Sequence, residues 1–387
     1  MDQVRFGIIG LGNMGSDHVG WIAGGKVARA ELTAICDLKQ DRLEAAQKVC
    51  PSAAAYTDYH ELLNSGKVDV VLIATPHYLH PVIAKEAFAA GLNVLSEKPA
   101  GVYTKAVREM NRAAKESGKL FGIMYNQRTN PLYQKARQLV QSGELGELKR
   151  SVWIITDWYR SQAYYNSGGW RATWAGEGGG VLLNQCPHNL DLWQWITGMP
   201  SRVRASCYVG KYHNIEVEDD VTIYAEYPNG ATGSFITTTG ECPGTNRLEI
   251  SGDRGKLVIE NNKLTFWRLD VPERKFCFET DKIFGTPKAE VEEFPLEGEI
   301  PMHVGILNNY VEALLDGTPL LAPGEEGING LTISNAAYLS SWENRWVDLP
   351  LDEDRYYELL SQRIAGSKHK ENVNEATAST EGTYGAK

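Results

Sequence analysis

The sequence predicts an α/β chain: a Rossmann-type, doubly wound parallel sheet, followed by an α+β unit with a large, mostly antiparallel sheet. Three observations predict it. The N-terminal third alternates apolar, strand-like runs with amphipathic, helix-like runs, as βαβ units do. The run Gly10-Leu-Gly12-Asn-Met-Gly15 stands between the first strand-like and the first helix-like run. Beyond about Tyr125 the hydrophobic period changes to two, punctuated by Asn and Gly turns. At 387 residues the chain is also too long for one ordinary core. We expect a Rossmann unit over 1–125, an α+β unit over 126–350 and an extension over 351–387, weakly ordered from about 366.

In chain order, VRFGIIG reads as a buried strand and SDHVGWIAG as a helix. AELTAIC and QDRLEAAQKVC repeat the pair. VDVVLIAT is nearly all apolar and β-branched, as a strand covered on both faces must be. PVIAKEAFAA is a helix stopped by Gly91, LNVLSE a strand, TKAVREMNRAAKES a helix and LFGIMY a strand. PLYQKARQLVQSG opens the second unit as a helix. SVWIITDWY, RVRASCYVG, DVTIYAEYPNGATGSFITTT and NRLEISGDRGKLVIENNKLTFWRL alternate with period two, with turns at Asn229-Gly230, Asp253-Arg254-Gly255 and Asn261-Asn262. VLLNQ after the glycine run 178–180 reads as a short strand. VGILNNYVEALLDG and GINGLTISNAAYLSSWENR read as helices.

Composition is that of a globular chain: 42% apolar, 23% charged. A formal net charge of −10 without a basic stripe argues against nucleic acid as a partner. We expect no signal peptide and no membrane span, since no apolar run approaches the required length. The six cysteines are scattered singly, which reads as reduced thiols in a cytoplasmic protein.

Four stretches carry chemistry. In the strand–helix context the GxGxxG run reads as a pyrophosphate cradle formed by Gly10, Gly12, Asn13, Met14 and Gly15; a plain glycine turn is the alternative. Asp37, ending the second strand, can accept from ribose hydroxyls and would repel a 2′-phosphate, so NAD is expected over NADP. Its alternative is the N-cap of the next helix. Glu97-Lys98-Pro99 lies at the carboxyl edge of the sheet, where this architecture binds ligands. A Lys there is partly desolvated and its pKa falls toward a useful range; a capping ion pair is the alternative. We expect a cis bond before Pro99. In EGGGVLLNQCPHNLD, His188 follows Pro187 at a helix start, which favours neutral imidazole. Upstream, Trp158, Tyr159, Arg160, Tyr164, Tyr165, Trp170, Arg171 and Trp174 form an aromatic and arginine cluster suited to sugar rings and anions, or to a core. His77 and His80 read as a sheet-edge loop rather than a metal pair, and no metal is expected.

In this order, GIIGLGNMG, ATPHYLH, VLSEKPAG and GWRATWAGEGGGVLLNQCPHNLD resemble the Gfo/Idh/MocA oxidoreductase family over roughly residues 3 to 350. The resemblance implies NAD-dependent hydride transfer on a secondary hydroxyl of a sugar, glycoside or cyclitol, with Lys98 and His188 flanking the reacting carbon. It places Thr75, Pro76, His80, Glu97, Lys98 and Asn126 on the cofactor. It sets Arg128, Asn184 and His188 toward the substrate, and the chemistry of His77, Tyr159, Arg160, Trp170 and Arg171 leads us to expect them there too. Asn184 departs from the family, in which many members carry Asp four residues before the His. Asn cannot carry charge, so Lys98 and His188 are expected to share the proton without a carboxylate between them. The resemblance also implies that residues 1–125 bind NAD, that 126–350 bind the substrate and carry oligomerisation, and that the assembly is a homodimer or homotetramer. Two other functions stay open: a glycosidase that oxidises a ring hydroxyl transiently and recycles bound NAD, and a non-catalytic NAD-binding regulator.

Overall fold

The computed structural model describes residues 2–368 and residue 370. The strands β1 (Val4–Ile9), β2 (Ala30–Cys36), β3 (Ala54–Tyr56), β4 (Val70–Ile73), β5 (Asn93–Ser96) and β6 (Phe121–Ile123) form one parallel sheet in the order β3-β2-β1-β4-β5-β6. The helices α1 (Asn13–Ala23), α2 (Gln40–Val49), α3 (Tyr59–Leu63), α4 (His80–Ala89) and α5 (Thr104–Ser117) connect them. Every residue of β4 is fully buried, which explains its unbroken apolar run. The order reverses between β1 and β4, so a crevice opens beyond their carboxyl ends, where such sheets take ligands.

The helix α6 (Pro131–Gln141) leads into β7 (Leu148–Ile155). Then follow α7 (Gln162–Tyr165), α8 (Pro187–Thr197), β8 (Arg202–Val209), β9 (Glu218–Glu226), β10 (Thr232–Thr238), β11 (Asn246–Gly252), β12 (Gly255–Glu260) and β13 (Lys263–Leu269). The rest of the described chain forms α9 (Glu273–Glu279), β14 (Ala289–Pro295), α10 (Met302–Asp316), α11 (Gly327–Glu343), β15 (Val347–Asp348) and α12 (Glu353–Gly366). The second sheet is nine-stranded, in the order β14-β13-β12-β11-β7-β10-β9-β8-β15. It is antiparallel except where β7 and β10 pair in parallel. The expected tight turns hold: Asn261 and Asn262 both take left-handed φ, 51° and 55°, between β12 and β13.

The helix α11 joins the Rossmann unit to the second sheet. Asn335 accepts from Thr104 N at 3.1 Å and donates to Val102 O at 3.1 Å, while Ser340 Oγ accepts from Ala205 N at 3.0 Å. The expected strand after the glycine run is absent: residues 178–186 are turns. Val181, Leu182 and Leu183 are as buried as strand residues, but their amides bond elsewhere. Gly180 N and Leu182 N donate to the Glu218 carboxylate at 2.9 Å each, and Val181 N to the Glu218 carbonyl at 3.1 Å. One buried side chain thus replaces a ladder partner. Of the tail expected to be weakly ordered from about 366, Ser367 and Lys368 N hydrogen-bond to Glu216, and the part from 371 lies outside the described residues.

Candidate active site

The glycine loop joins β1 to α1, and its glycines are there for different reasons. Gly10 has φ 93°, and a Cβ there would stand 2.7 Å from the Ala74 carbonyl oxygen. A Cβ on Gly15 would stand 1.8 Å from the Gly10 carbonyl oxygen, so Gly15 lets the helix close on the strand. Gly12 has open space instead, and no side chain caps α1 where Asn13 and Met14 begin it. An open helix start of this kind suits a phosphate. Asp37 braces the loop: its carboxylate accepts from Leu11 N at 2.7 Å and Lys39 N at 2.9 Å, with Arg42 Nη1 at 3.5 Å. It does not cap α2, whose N-cap is Lys39.

Along the crevice, Pro76 caps the short turn His77–Leu79. Thr75 Oγ1 and Asn126 Oδ1 are buried without protein partners, as atoms that await a ligand are. Together with the uncapped helix start and the glycine clearances, these atoms fit a dinucleotide. Two expected cofactor contacts have other work. His80 turns Nδ1 to Pro99 O at 2.8 Å and Nε2 to Thr75 O at 2.7 Å, so the ring is turned to backbone carbonyls, to one of which its single neutral N–H donates. Glu97 spends Oε1 on His18 Nε2 at 2.8 Å and Oε2 on Lys98 N at 3.1 Å. Burial pushes the Glu97 pKa up, but the His18 hydrogen bond and the facing His18, His303 and Lys98 charges outweigh it, leaving the group at about 2. Sequence reasoning missed His18 and His303. Trp21 stacks on His303 at 5.0 Å, and His303 meets Asn126 Nδ2 at 3.2 Å. A side chain of α10 thus reaches α1, a contact without any signal in the linear pattern.

The Lys98–Pro99 bond is cis. Lys98 Nζ donates to the Asn184 carbonyl at 2.9 Å, across the two units. Burial lowers the Lys98 pKa, partly opposed by the negative charges of Glu97 and Glu177, and the positive Arg171 and Arg160 lower it further. His188, in the first turn of α8, is buried and neither ring nitrogen has a protein partner. Its pKa lies well below the usual imidazole range because of burial first, then the facing Lys98. The ring is therefore neutral at pH 7, with a ring nitrogen free to accept a hydrogen bond from a hydroxyl.

Asn184 leaves no carboxylate at its own position, but one does act on Lys98 from behind it. Glu177 opens the glycine run and is fully buried. It accepts from Ala172 N at 2.5 Å and from the Asn184 amide, and it raises the Lys98 pKa. Its own pKa is raised by burial, which outweighs the pull of Arg171. The negative charge that Asn184 lacks stands one hydrogen bond behind it. The signal was the Glu preceding the three glycines, which reads locally as a turn residue.

On the substrate side, His77 Nδ1 meets the Glu177 carbonyl at 3.1 Å and its ring packs edge-on to Trp170 at 5.6 Å. Burial, then His80 and Lys98, hold His77 neutral. Arg160, Arg171 and Trp170 gather around Tyr164. Two expected substrate contacts fall outside this group. Arg128 is fully buried and forks to Asp191 at 2.6 and 2.8 Å, with Glu326 at 2.5 Å; its charge is spent inside the protein. Tyr159 is 50% exposed, and its carbonyl rather than its ring joins the site, accepting from Arg160.

Comparison with known proteins shows the family of the chain. Residues 4–125 match the family described as an oxidoreductase family with an NAD-binding Rossmann fold, and residues 133–258 match the GFO/IDH/MocA C-terminal domain. The chain is 29% identical over 290 residues to bovine (Bos taurus) trans-1,2-dihydrobenzene-1,2-diol dehydrogenase, covering 71% of this chain and 83% of that protein. It is 25% identical over 354 residues to the myo-inositol 2-dehydrogenase of Thermotoga maritima, covering 89% and 98%. Among solved structures, the WlbA dehydrogenase of Chromobacterium violaceum, in complex with NADH and UDP-GlcNAcA, superimposes with a TM-score of 0.78 at 28% identity, covering 91% of this chain and 97% of that one. The cradle, the crevice and these matches together identify the chain as a member of the Gfo/Idh/MocA family of NAD-binding oxidoreductases.

Proposed function

We propose that the protein oxidises a secondary hydroxyl of a sugar, glycoside or cyclitol, with Lys98 and His188 as the proton-handling pair. The observation that carries this is His188: a buried, neutral imidazole with both nitrogens unpartnered, facing the ammonium of Lys98. Its nitrogens lack protein hydrogen bonds, so a substrate hydroxyl is the natural partner. Bound NAD supplies the hydride acceptor. The chain's own residues do the rest. Gly10, Gly12, Asn13, Met14, Gly15, Asp37, Thr75, Pro76 and Asn126 would hold the cofactor. His188 accepts or orients the hydroxyl proton, and Lys98 takes it up once deprotonated. Lowering the Lys98 pKa brings that form within reach of working pH. The charge of Glu177 moderates the shift.

In this reading residues 1–125 bind the cofactor and 126–350 bind the substrate. A homodimer or homotetramer forms through the open face of the second sheet, where Tyr208 and Tyr224 are exposed. The described cysteines are all free, in keeping with a cytoplasmic assignment. The test is a panel of sugars, cyclitols and glycosides with NAD, read by NADH absorbance and by product analysis. Net NADH with an oxidised ring supports the reading. Glycoside cleavage without net NADH would favour the glycosidase alternative, and no turnover with any of them would favour the regulator.

A further inference from the structure

The cleft holds two guanidiniums that the proton chemistry does not use. Arg160 follows β7 and Arg171 lies in the turns after α7. Both stack on one ring: Arg160 Cζ is 5.1 Å and Arg171 Cζ 4.6 Å from the centre of Tyr164. Each has a second aromatic neighbour, Trp158 at 5.6 Å and Trp170 at 4.8 Å. Each is tethered through Nη1, Arg160 to the Tyr159 carbonyl at 2.9 Å and Arg171 to Tyr164 Oη at 2.8 Å. That leaves each Nε–Nη2 edge, the edge that meets a carboxylate with two parallel N–H···O bonds. Among the described residues neither guanidinium forms an ion pair. Glu177, the nearby carboxylate, is engaged by Ala172 N and the Asn184 amide.

Two buried atoms here have no partner: Arg160 Nε, a donor, and Gln185 Oε1, an acceptor. Gln185 Nε2 donates to Tyr164 Oη at 3.1 Å, which fixes that acceptor beside the arginines. Orphaned buried groups are costly in the free protein and are what a bound ligand satisfies. The pair is also close to the reaction, since both arginines act on Lys98, and Arg171 acts on His77 as well. Lys370 adds a cation, donating to the Tyr165 carbonyl at 2.7 Å. A chain of net charge −10 has thus gathered positive charge at one wall of its cleft.

We propose that Arg160 and Arg171 form a carboxylate subsite, so that the substrate is a sugar acid: a polyhydroxylated ring bearing a carboxylate. This rests on the dehydrogenase reading above. Gln185 Oε1 favours a carboxylate over a phosphate ester. An open acceptor suits a ring hydroxyl next to the carboxylate and would repel a third phosphate oxygen.

The test uses the full chain with NAD and matched rings: glucose, glucuronate and glucose 6-phosphate, then galactose and galacturonate. A second arm measures calorimetrically the binding of glucuronate and galacturonate to the protein–NADH complex. We expect kcat/KM for an acid to exceed that of its neutral partner by about tenfold or more, as one charge-assisted pair supplies. Arg160→Gln and Arg171→Gln should each lower that ratio about tenfold, with NADH binding confirming a folded site. A neutral partner turned over as well as its acid, a preferred phosphate ester, or a ratio unmoved in both variants would overturn the subsite while leaving the dehydrogenase reading standing. If no ring yields NADH, the dehydrogenase reading fails and the binding arm decides the subsite alone. Acid binding lost in both variants would support it, and absence of acid binding would overturn it.

Discussion

At the scale of single residues, the site is a set of charges placed by burial. Lys98 is drawn below its usual pKa by burial and by the arginines, and held back by Glu97 and Glu177. Glu177→Gln removes a charge that favours the ammonium form. The Lys98 pKa should fall further, and the acidic limb of the pH–rate profile for oxidation should move to lower pH; an unmoved limb would exclude Glu177 from the proton chemistry. Asn184→Asp does not simply add a charge beside Lys98. The new carboxylate would touch buried Glu177, and like charges in contact force one to hold a proton. We expect Asn184→Asp alone to shift the limb little. The double variant Glu177→Gln/Asn184→Asp should return it toward the parent, since one charge is then restored. A double-variant profile that follows Glu177→Gln would contradict this coupling. Asp37 decides the cofactor: the parent should prefer NAD, and Asp37→Ser should narrow the preference against NADP, read as the ratio of the two kcat/KM values.

At the scale of elements, the segment carrying Asn184 and His188 is held by backbone contacts to one acid. A Cβ on Gly180 would stand 1.9 Å from the Glu218 carbonyl oxygen, which cannot move without disturbing β9. Gly180→Ala should cost about 2 kcal/mol or more and remove most turnover, measured by thermal unfolding and NADH formation; a variant with parental melting would show that the turns adapt. Glu218 itself is pushed up to about 7 by burial, although Leu182 N, Tyr338 and Gly180 N favour its charged form. Between the unfolded value near 4.3 and that pKa, the folded protein holds a proton the unfolded chain has released. Its contribution to stability is complete at the acid end of this window and is lost as pH rises through about 7. Glu218→Gln should flatten the dependence of melting temperature on pH across that window. Elements with strong periodicity were legible in the sequence: β4 by its apolar run, α8 by Pro187, the β12–β13 turn by its two asparagines. The short elements β3, α3, α7 and β15 were not, since a few residues carry no period, and β14 was not because it is a mostly exposed, acidic edge strand. The turns after the glycine run were missed because Val181, Leu182 and Leu183 form a continuous apolar run like that of a buried strand, while the Gly180 and Leu182 amides bond the distant Glu218 carboxylate.

At the scale of the whole molecule, the chain brings two units onto one crevice, and the crossing contacts are what linear reasoning reads least well. Lys98 and His188 were legible because each sits in a motif with its own local geometry. His18, His303 and Glu177 were not, because each acts only through a partner far along the chain. Arg128 was misread for the reverse reason: its motif lies beside the site, but α8 and the segment before α11 supply Asp191 and Glu326 to bury it. The central claim is that Lys98 and His188 move the substrate proton and do not merely shape the cleft. The most direct measurement compares Lys98→Ala and His188→Ala with the parent on the best substrate of the panel, with NADH affinity measured in parallel by fluorescence. Turnover should fall about 10²-fold or more in each, while NADH affinity stays within a few-fold. Near-parental turnover in both variants, or a loss matched by an equal loss of NADH affinity, would contradict the account.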